Sequence, residues 1–358
     1  MAAAPACVLL VPGDLNTPTG GYAYDRRLLE ALRASGWAVS VLRIDGAWPW
    51  PDAATLAEAQ HRFAQLPDGC CVVADGLAFG VLGDVVAAHA RRLRWVALVH
   101  HPLHLETGLD TSQAQALRVA EAAALAFAQR VIVTSPATVA DVQALGVPHE
   151  RIAVVVPGID PVHASTAAVA RADDNVQLLC VATLTPRKNH ALLLRALAAM
   201  SDLPWALHCV GSPTHDAALA QRLKDSTASG PLAGRVHWHG ELPDEALHVR
   251  YAQADVFVLA SRHEGYGMVI NEALLHGLPI VASRAGALAQ TVPAQAGLLV
   301  PPDDEAAWRE ALTDVISDAA LRARLATGAR VAARQLPTWA AQATRFANAI
   351  EPLCGDAR

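Results

Sequence analysis

The feature that most constrains this chain is an alternation of short apolar runs with helix-period stretches, played out twice along its length. Strand-sized runs separated by helical patterns are the signature of parallel α/β layers. The first round reads as a strand at Cys7–Val11, a glycine-rich loop, and a helix from about Tyr22 to Ala34 with Leu28, Leu29 and Leu32 along one face. Gly36 is a fitting helix stop, and a strand at Ala38–Ile44 follows. Further strands are predicted at Cys71–Ala74, Trp95–Val99, Val131–Thr134 and Ile152–Val155. Small and polar residues from Pro161 to Asn175 read as a linker. The alternation then restarts, with strands at Val176–Ala182, Trp205–Val210, Val236–Trp238, Asp255–Leu259, Ile280–Ala282 and Gly297–Val300. Helices are predicted near Ala191–Met200, Asp216–Lys224, Asp244–Ala252, Val269–His276 and Glu305–Ile316.

This pattern predicts two doubly wound, Rossmann-like parallel-sheet domains, 1–165 and 176–336, facing each other across a cleft. A last helical pattern around Thr338–Ile350, within 337–358, could pack back on the first domain. A chain of 358 residues suits two domains. Its 53% hydrophobic and 17% charged residues suffice for two buried cores and exclude a disordered chain.

Net charge of −6 argues against a general nucleic-acid binder. Any anionic ligand must therefore meet a few local cations rather than a basic field. None of the six cysteines forms a Cys-x-x-Cys pair, and most sit in apolar runs, which reads as buried thiols in a reducing cytosol. The start, Met1 to Val11, lacks a basic flank, and Cys7–Val11 within it reads as a buried strand rather than a signal peptide. No apolar run nears the roughly 20 residues needed to span a bilayer. The expectation is a cytoplasmic protein, with peripheral contact at the inner face of the membrane left open.

The segments with chemical content follow predicted strands, where doubly wound sheets bind ligands. In Ser261–Glu272, Glu264 and Glu272 stand eight positions apart around Gly265-Tyr266-Gly267, and a helical pattern begins at the second glycine. Glycines let backbone amides approach an anion. A helix mouth near Gly267, Met268 and Val269 adds free N–H groups and partial positive charge. The glutamates can accept hydrogen bonds from hydroxyls, so the grammar suits a sugar carrying phosphates. The bland alternative is a capped helix with solvated acids.

Arg187 and Lys188 lie in the loop after the second domain's first strand, poised to neutralise phosphate oxygens, the one by bidentate contact and the other as a point charge. A solvated surface pair is the alternative. Gly20 and Gly21 open the first helix after a loop that is neither a Walker loop nor a Gly-x-Gly-x-x-Gly turn. They can seat a sugar or phosphate, or simply make a tight turn. His100 and His101 end a strand and could bind substrate or handle a proton. Adjacent residues on extended chain point opposite ways, so one of the two should be structural and shared metal ligation is disfavoured.

These residues resemble glycosyltransferase family 4, the retaining enzymes of the GT-B fold. The likeness covers nearly the whole chain. SRHEGYGMVINEALLHGLPIVAS, Ser261–Ser283, resembles the family's Glu-x7-Glu block. TPTGGYAYDRRLLEALRASGWAVSVL resembles its opening glycine loop, helix and second strand, and VIVTSPATVADVQALGVPHERIAVVVPGID resembles the end of its first domain. The resemblance implies Glu264 beside the donor sugar, Glu272 at the ribose and Lys188 on the diphosphate. It implies amides near Gly267 and Met268 on the distal phosphate and sugar, and Gly20 and Gly21 approaching the donor from the other domain. A histidine at the place of His100 or His101 would touch the transferred sugar or the acceptor.

One departure stands out. Many members carry arginine five residues before the lysine, where this chain has Thr183. Arg187, in the Pro-Arg-Lys-Asn form of the loop, is the candidate replacement.

The implied activity is metal-independent transfer, with retention, of a hexose or similar sugar from a nucleotide-diphosphate sugar to a hydroxyl of a glycan, lipid-linked or small-molecule acceptor. No cofactor and no nucleic-acid partner is expected. Other readings stay open: a non-catalytic nucleotide-sugar binder, an epimerase or phosphorylase on a related fold, and a glycosidase pairing Glu264 with Glu272.

Overall fold

The computed structural model describes residues 4–160 and 175–354. The chain divides into two compact units, residues 4–160 with 337–354 and residues 175–336. The span read as a linker lies, Asn175 apart, outside the described residues.

In the first unit, strands β1 (Ala6–Pro12), β2 (Ala38–Ile44), β3 (Cys71–Asp75), β4 (Arg94–Val99), β5 (Arg130–Val133) and β6 (Ile152–Val154) form one parallel sheet in the order β2-β1-β3-β4-β5-β6. Helices α1 (Gly20–Ala34), α2 (Ala53–Ala64), α3 (Gly76–Phe79), α4 (Gly83–His89), α5 (Thr111–Leu125) and α6 (Pro136–Ala144) make the crossovers. The central strands β3 and β4 are buried along their length apart from Arg94 at the start of β4, as a sheet covered on both faces requires. Trp95, Phe63 and Phe79 meet edge-on or tilted in this core. Helix starts are fixed by caps. Thr19 receives the Tyr22 amide, and Asp110 forms a reciprocal capping box with Gln113.

The second unit contains β7 (Val176–Val181), β8 (Trp205–Val210), β9 (Val236–Trp238), β10 (Val256–Leu259), β11 (Ile280–Ser283) and β12 (Gly297–Val300). They form a second parallel sheet in the order β12-β11-β10-β7-β8-β9. Its helices are α7 (His190–Ala198), α8 (Ala217–Thr227), α9 (Asp244–Gln253), α10 (Met268–Leu275), α11 (Leu288–Thr291), α12 (Glu305–Ser317) and α13 (Ala319–Ala333). The core is rich in leucine and valine around Trp205, Phe257 and Trp308.

The last helix, α14 (Trp339–Ile350), belongs to the first unit and packs on α1. Tyr24 meets Trp339 edge-on at 5.4 Å, and Ile159 bridges Thr338 in parallel. Gly158 is obligatory here, because a Cβ on it would fall 2.4 Å from the Trp339 amide nitrogen.

The strand order of each sheet changes direction once. In the first, β1 lies between β2 and β3; in the second, β7 lies between β8 and β10. At such a point the crossovers of a doubly wound sheet leave on opposite sides, and ligands bind beyond the carboxyl ends of the strands. The loops after β7 and β10 therefore sit side by side, as do those after β1 and β3. All six cysteines are free thiols. Among the described residues no helix is long and apolar enough to cross a membrane.

Candidate functional site

The switch point of the second sheet gathers Arg187, Lys188 and Glu264. The loop after β7 closes in a 3-10 turn at Pro186–Lys188, and Asn189 follows at a φ of 53°. Its two cations reach into the loop after β10. Lys188 Nζ donates to Glu264 Oε1 at 2.5 Å, and Arg187 Nη1 contacts Glu264 Oε2 at 3.4 Å and the His263 carbonyl at 3.0 Å. Arg262 ties the loops from the other side, donating to the Pro186 carbonyl and to Asp303, which also accepts from Asn189.

Glu264 is 6% exposed. Burial alone would raise its carboxyl, but the Lys188 ammonium and the Arg187 guanidinium outweigh that and hold it at about 2. It is thus a permanent carboxylate, suited to accept from sugar hydroxyls and unable to give a proton at neutral pH. Backbone contacts fix its place: the Ala287 amide donates to the Glu264 carbonyl, and Gly286 (φ 54°) passes so close that a Cβ would lie 2.4 Å from that oxygen.

Gly267 caps α10 at a φ of 85°, where a side chain would be strained and would press on Leu288. The first-turn amides of α10, beginning with Met268 and Val269, open at this point. Gly265 is half-buried, and the Tyr266 hydroxyl exchanges hydrogen bonds with Asn271. Glu272, one turn along α10, accepts at 2.7 Å from the buried Tyr251 hydroxyl. Burial raises the Glu272 carboxyl, and the Tyr251 hydrogen bond opposes that rise. Thr183 lies just past β7, beside Gly211.

The first sheet's switch point carries the remaining candidates. Gly20 and Gly21 form the first turn of α1. A Cβ on Gly20 would meet nothing within 4 Å, whereas one on Gly21 would lie 3.3 Å from the His100 ring. His100, just beyond β4, turns its Nε2 to Asp25 Oδ1 at 3.1 Å and Asp75 Oδ2 at 3.8 Å. His101 turns instead to Glu106 at 3.2 Å. The two adjacent histidines thus part company.

Sequence reasoning missed Asp25, Asp75 and Tyr251. A signal existed for the first: Asp25 precedes Leu28 and Leu29 by three and four positions and so falls on the apolar face of α1. Asp75 ends an apolar run, CVVAD, at a strand's carboxyl end. Tyr251 carries no comparable mark.

Comparison with known proteins bears on the family and the fold. Residues 164–332 match the family model "Glycosyl transferases group 1", and residues 71–163 match "Glycosyltransferase Family 4". The chain belongs to glycosyltransferase family 4. Among this family-4 chain's curated relatives is the D-inositol 3-phosphate glycosyltransferase of Corynebacterium diphtheriae, 29% identical over 265 residues, covering 69% of this chain and 61% of the relative. The protein of the same name from Geodermatophilus obscurus is 34% identical over 200 residues, covering 52% and 44%. The matched stretch thus spans less than two thirds of the length of the first such relatives.

Sucrose-phosphate synthase from Thermosynechococcus elongatus superposes with a TM-score of 0.82 at 24% identity, covering 97% of this chain and 98% of that one. Anabaena HepE in complex with UDP and glucose gives 0.76 at 20% identity, covering 98% and 100%. The family-4 chain has the GT-B fold.

Proposed function

We propose that this chain is a retaining, metal-independent glycosyltransferase that moves a hexose from a nucleotide-diphosphate sugar to a hydroxyl of a glycan, lipid-linked or small-molecule acceptor. The observation that carries the reading is the convergence of Lys188, Arg187 and Glu264 at the second sheet's switch point, beside the mouth of α10. A diphosphate there would draw on the two cations and on the amides near Gly267, Met268 and Val269. Glu264, already ionised, would accept from sugar hydroxyls, and Glu272 from ribose. As the glycosidic bond breaks, charge develops on the leaving diphosphate, and fixed cations stabilise it without reorganising.

In the first unit, Gly20, Gly21 and His100 would meet the sugar or the acceptor. UDP-sugars are the first donor class to try, because HepE was solved with UDP and glucose. A phosphorylated polyol belongs among the acceptors tried, given the names of the curated relatives. The protein would work in the cytoplasm, where nucleotide sugars are made, with contact at the membrane's inner face if the acceptor is lipid-linked.

The test is a thermal-shift screen against UDP-, GDP- and ADP-sugars. A ligand at a hundred times its Kd stabilises by about 2.7 kcal/mol. One donor class should raise Tm, and Lys188→Ala and Glu272→Gln should each weaken that response while remaining folded. Normal binding by both variants would overturn the site. Binding without turnover across acceptors would mark a non-catalytic binder instead.

A further inference from the structure

His100 stands on two buried carboxylates that donor binding in the second unit does not require. Asp25 comes from α1, Asp75 from the end of β3, and His100 from the end of β4, so the first sheet's switch point alone brings them together. The Asp25 Oδ1 contact to Nε2, at 3.1 Å, lies in hydrogen-bond range. Asp25 Oδ2 is buried with no hydrogen-bond partner, while Asp75 Oδ1 is already committed to the Leu77 amide. The ring is clamped on its other sides. Tyr24 meets it edge-on at 5.3 Å, and Gly21 lies against its Cδ2 edge. Nδ1 makes none of these contacts, and the side chain is 21% exposed.

We infer that Asp25 and Asp75 are positioning residues that hold His100 as a doubly protonated imidazole, Nε2–H on the carboxylates and Nδ1–H presented outward as a fixed cationic donor. The inference rests on the glycosyltransferase reading only for what Nδ1–H meets, a hydroxyl of the sugar or acceptor.

The charge balance explains how two buried carboxylates and a partly buried imidazole coexist. Two adjacent buried carboxylates cannot both stay charged cheaply, and a proton on Asp75 relieves the pair. Burial, and then the Asp25 charge, push Asp75 up to about 7. The remaining carboxylate charge balances the imidazolium, leaving the cluster neutral. Burial lowers His100, but the Asp25 and Asp75 charges more than reverse that. The other titratable groups at this face, Tyr22 and Tyr24 on α1, are raised by burial and stay neutral, while His101 is turned to Glu106. The same three side chains are close enough to share a divalent cation. The experiment separates a proton-held cluster from a cation site.

The test is NMR of isotopically labelled histidine nitrogens in the full chain, with His100 assigned by its loss in His100→Gln. Between about pH 5 and about pH 9, both ring nitrogens should stay protonated past the ordinary midpoint of about 6.5. Asp25→Asn and Asp75→Asn should each lower that midpoint, Asp25→Asn more. Should Asp25→Asn fail to fold, Asp75→Asn and the wild-type titration still decide. A His100 ring that is neutral at pH 7 in the wild type overturns the inference. So does a midpoint unmoved in folded variants, or a His100 signal shifted by zinc or broadened by manganese, which would make the cluster a cation site. These readings need no activity. Failure of the glycosyltransferase reading would appear separately, as absent nucleotide-sugar binding beside a normal His100 titration. Where transfer is measurable, kcat should fall on the alkaline side at the same midpoint, and Asp25→Asn should move that limb to lower pH.

Discussion

Lys188 and Glu264 lie 76 residues apart in sequence, yet form a buried ion pair at 2.5 Å. The pair locks the loop after β7 to the loop after β10, so the groups assigned to diphosphate and to sugar are set by one contact. Arg187 shares the same carboxylate, which makes Glu264 the hub of both loops.

Lys188→Ala should therefore cost both binding and stability. A hydrogen bond to a charged group contributes about 1.5–3 kcal/mol, so Kd for the donor should rise about ten- to hundredfold by titration calorimetry. Tm should fall as well, because Glu264 is left buried with Arg187 as its remaining cation. A variant that keeps wild-type affinity would remove Lys188 from the diphosphate.

The ion pair also sets an acid limit. Glu264 sits at about 2 in the folded protein against 4.5 ordinarily, so its stabilisation is complete above about pH 4.5 and lost as pH falls towards 2. The contribution is on the order of 3 kcal/mol. Denaturant melts across this range should show stability falling with acid, less steeply in Glu264→Gln. Parallel curves would contradict the assignment.

Tyr251→Phe deletes the hydrogen bond that holds Glu272. Without that donor the Glu272 carboxyl should rise further, so donor affinity should weaken and decline from a higher pH than in wild type. A hydrogen bond to a charged group predicts a stability loss of about 1.5–3 kcal/mol, read by chemical denaturation. Unchanged affinity at every pH would show that ribose does not depend on this pair.

Two glycines should separate structural from ligand roles. Gly286→Ala places a methyl against the Glu264 carbonyl at a positive φ, so it should lower Tm by several degrees and weaken donor binding together. Gly20→Ala meets open space, so Tm should hold while the KM for donor rises. A Gly20→Ala enzyme with unchanged KM would put Gly20 in a turn-making role alone.

Much of the fold was legible because buried parallel strands leave continuous apolar runs. β2, β8, β9 and β12 end where the sequence predicts, and α1 extends two residues beyond its predicted start, to the Thr19 cap. The sequence pattern places no helix at α2, α5, α6 or α13, nor at the shorter α3, α4 and α11. In α5 and α13 alanine occupies both the buried and exposed faces, so a helical period has little contrast to reveal it. In the second unit the motif spacing located Glu264, Gly267 and Glu272, since all three lie on one continuous stretch. The cluster around His100 was hidden because Asp25, Asp75 and His100 come from separate elements, and the strand order that joins them is not written in any local spacing. Tyr251 was hidden for the same reason, since its partner Glu272 lies 21 residues on.

The return of α14 to the first unit bears on how the protein is made. Residues 175–336 are contiguous, so the second unit has all its parts as soon as Leu336 has cleared the ribosome. The first unit, though synthesised earlier, must wait with the α1 side of Tyr24 uncovered until Trp339, Phe346 and Ile350 arrive. The half born first is finished last.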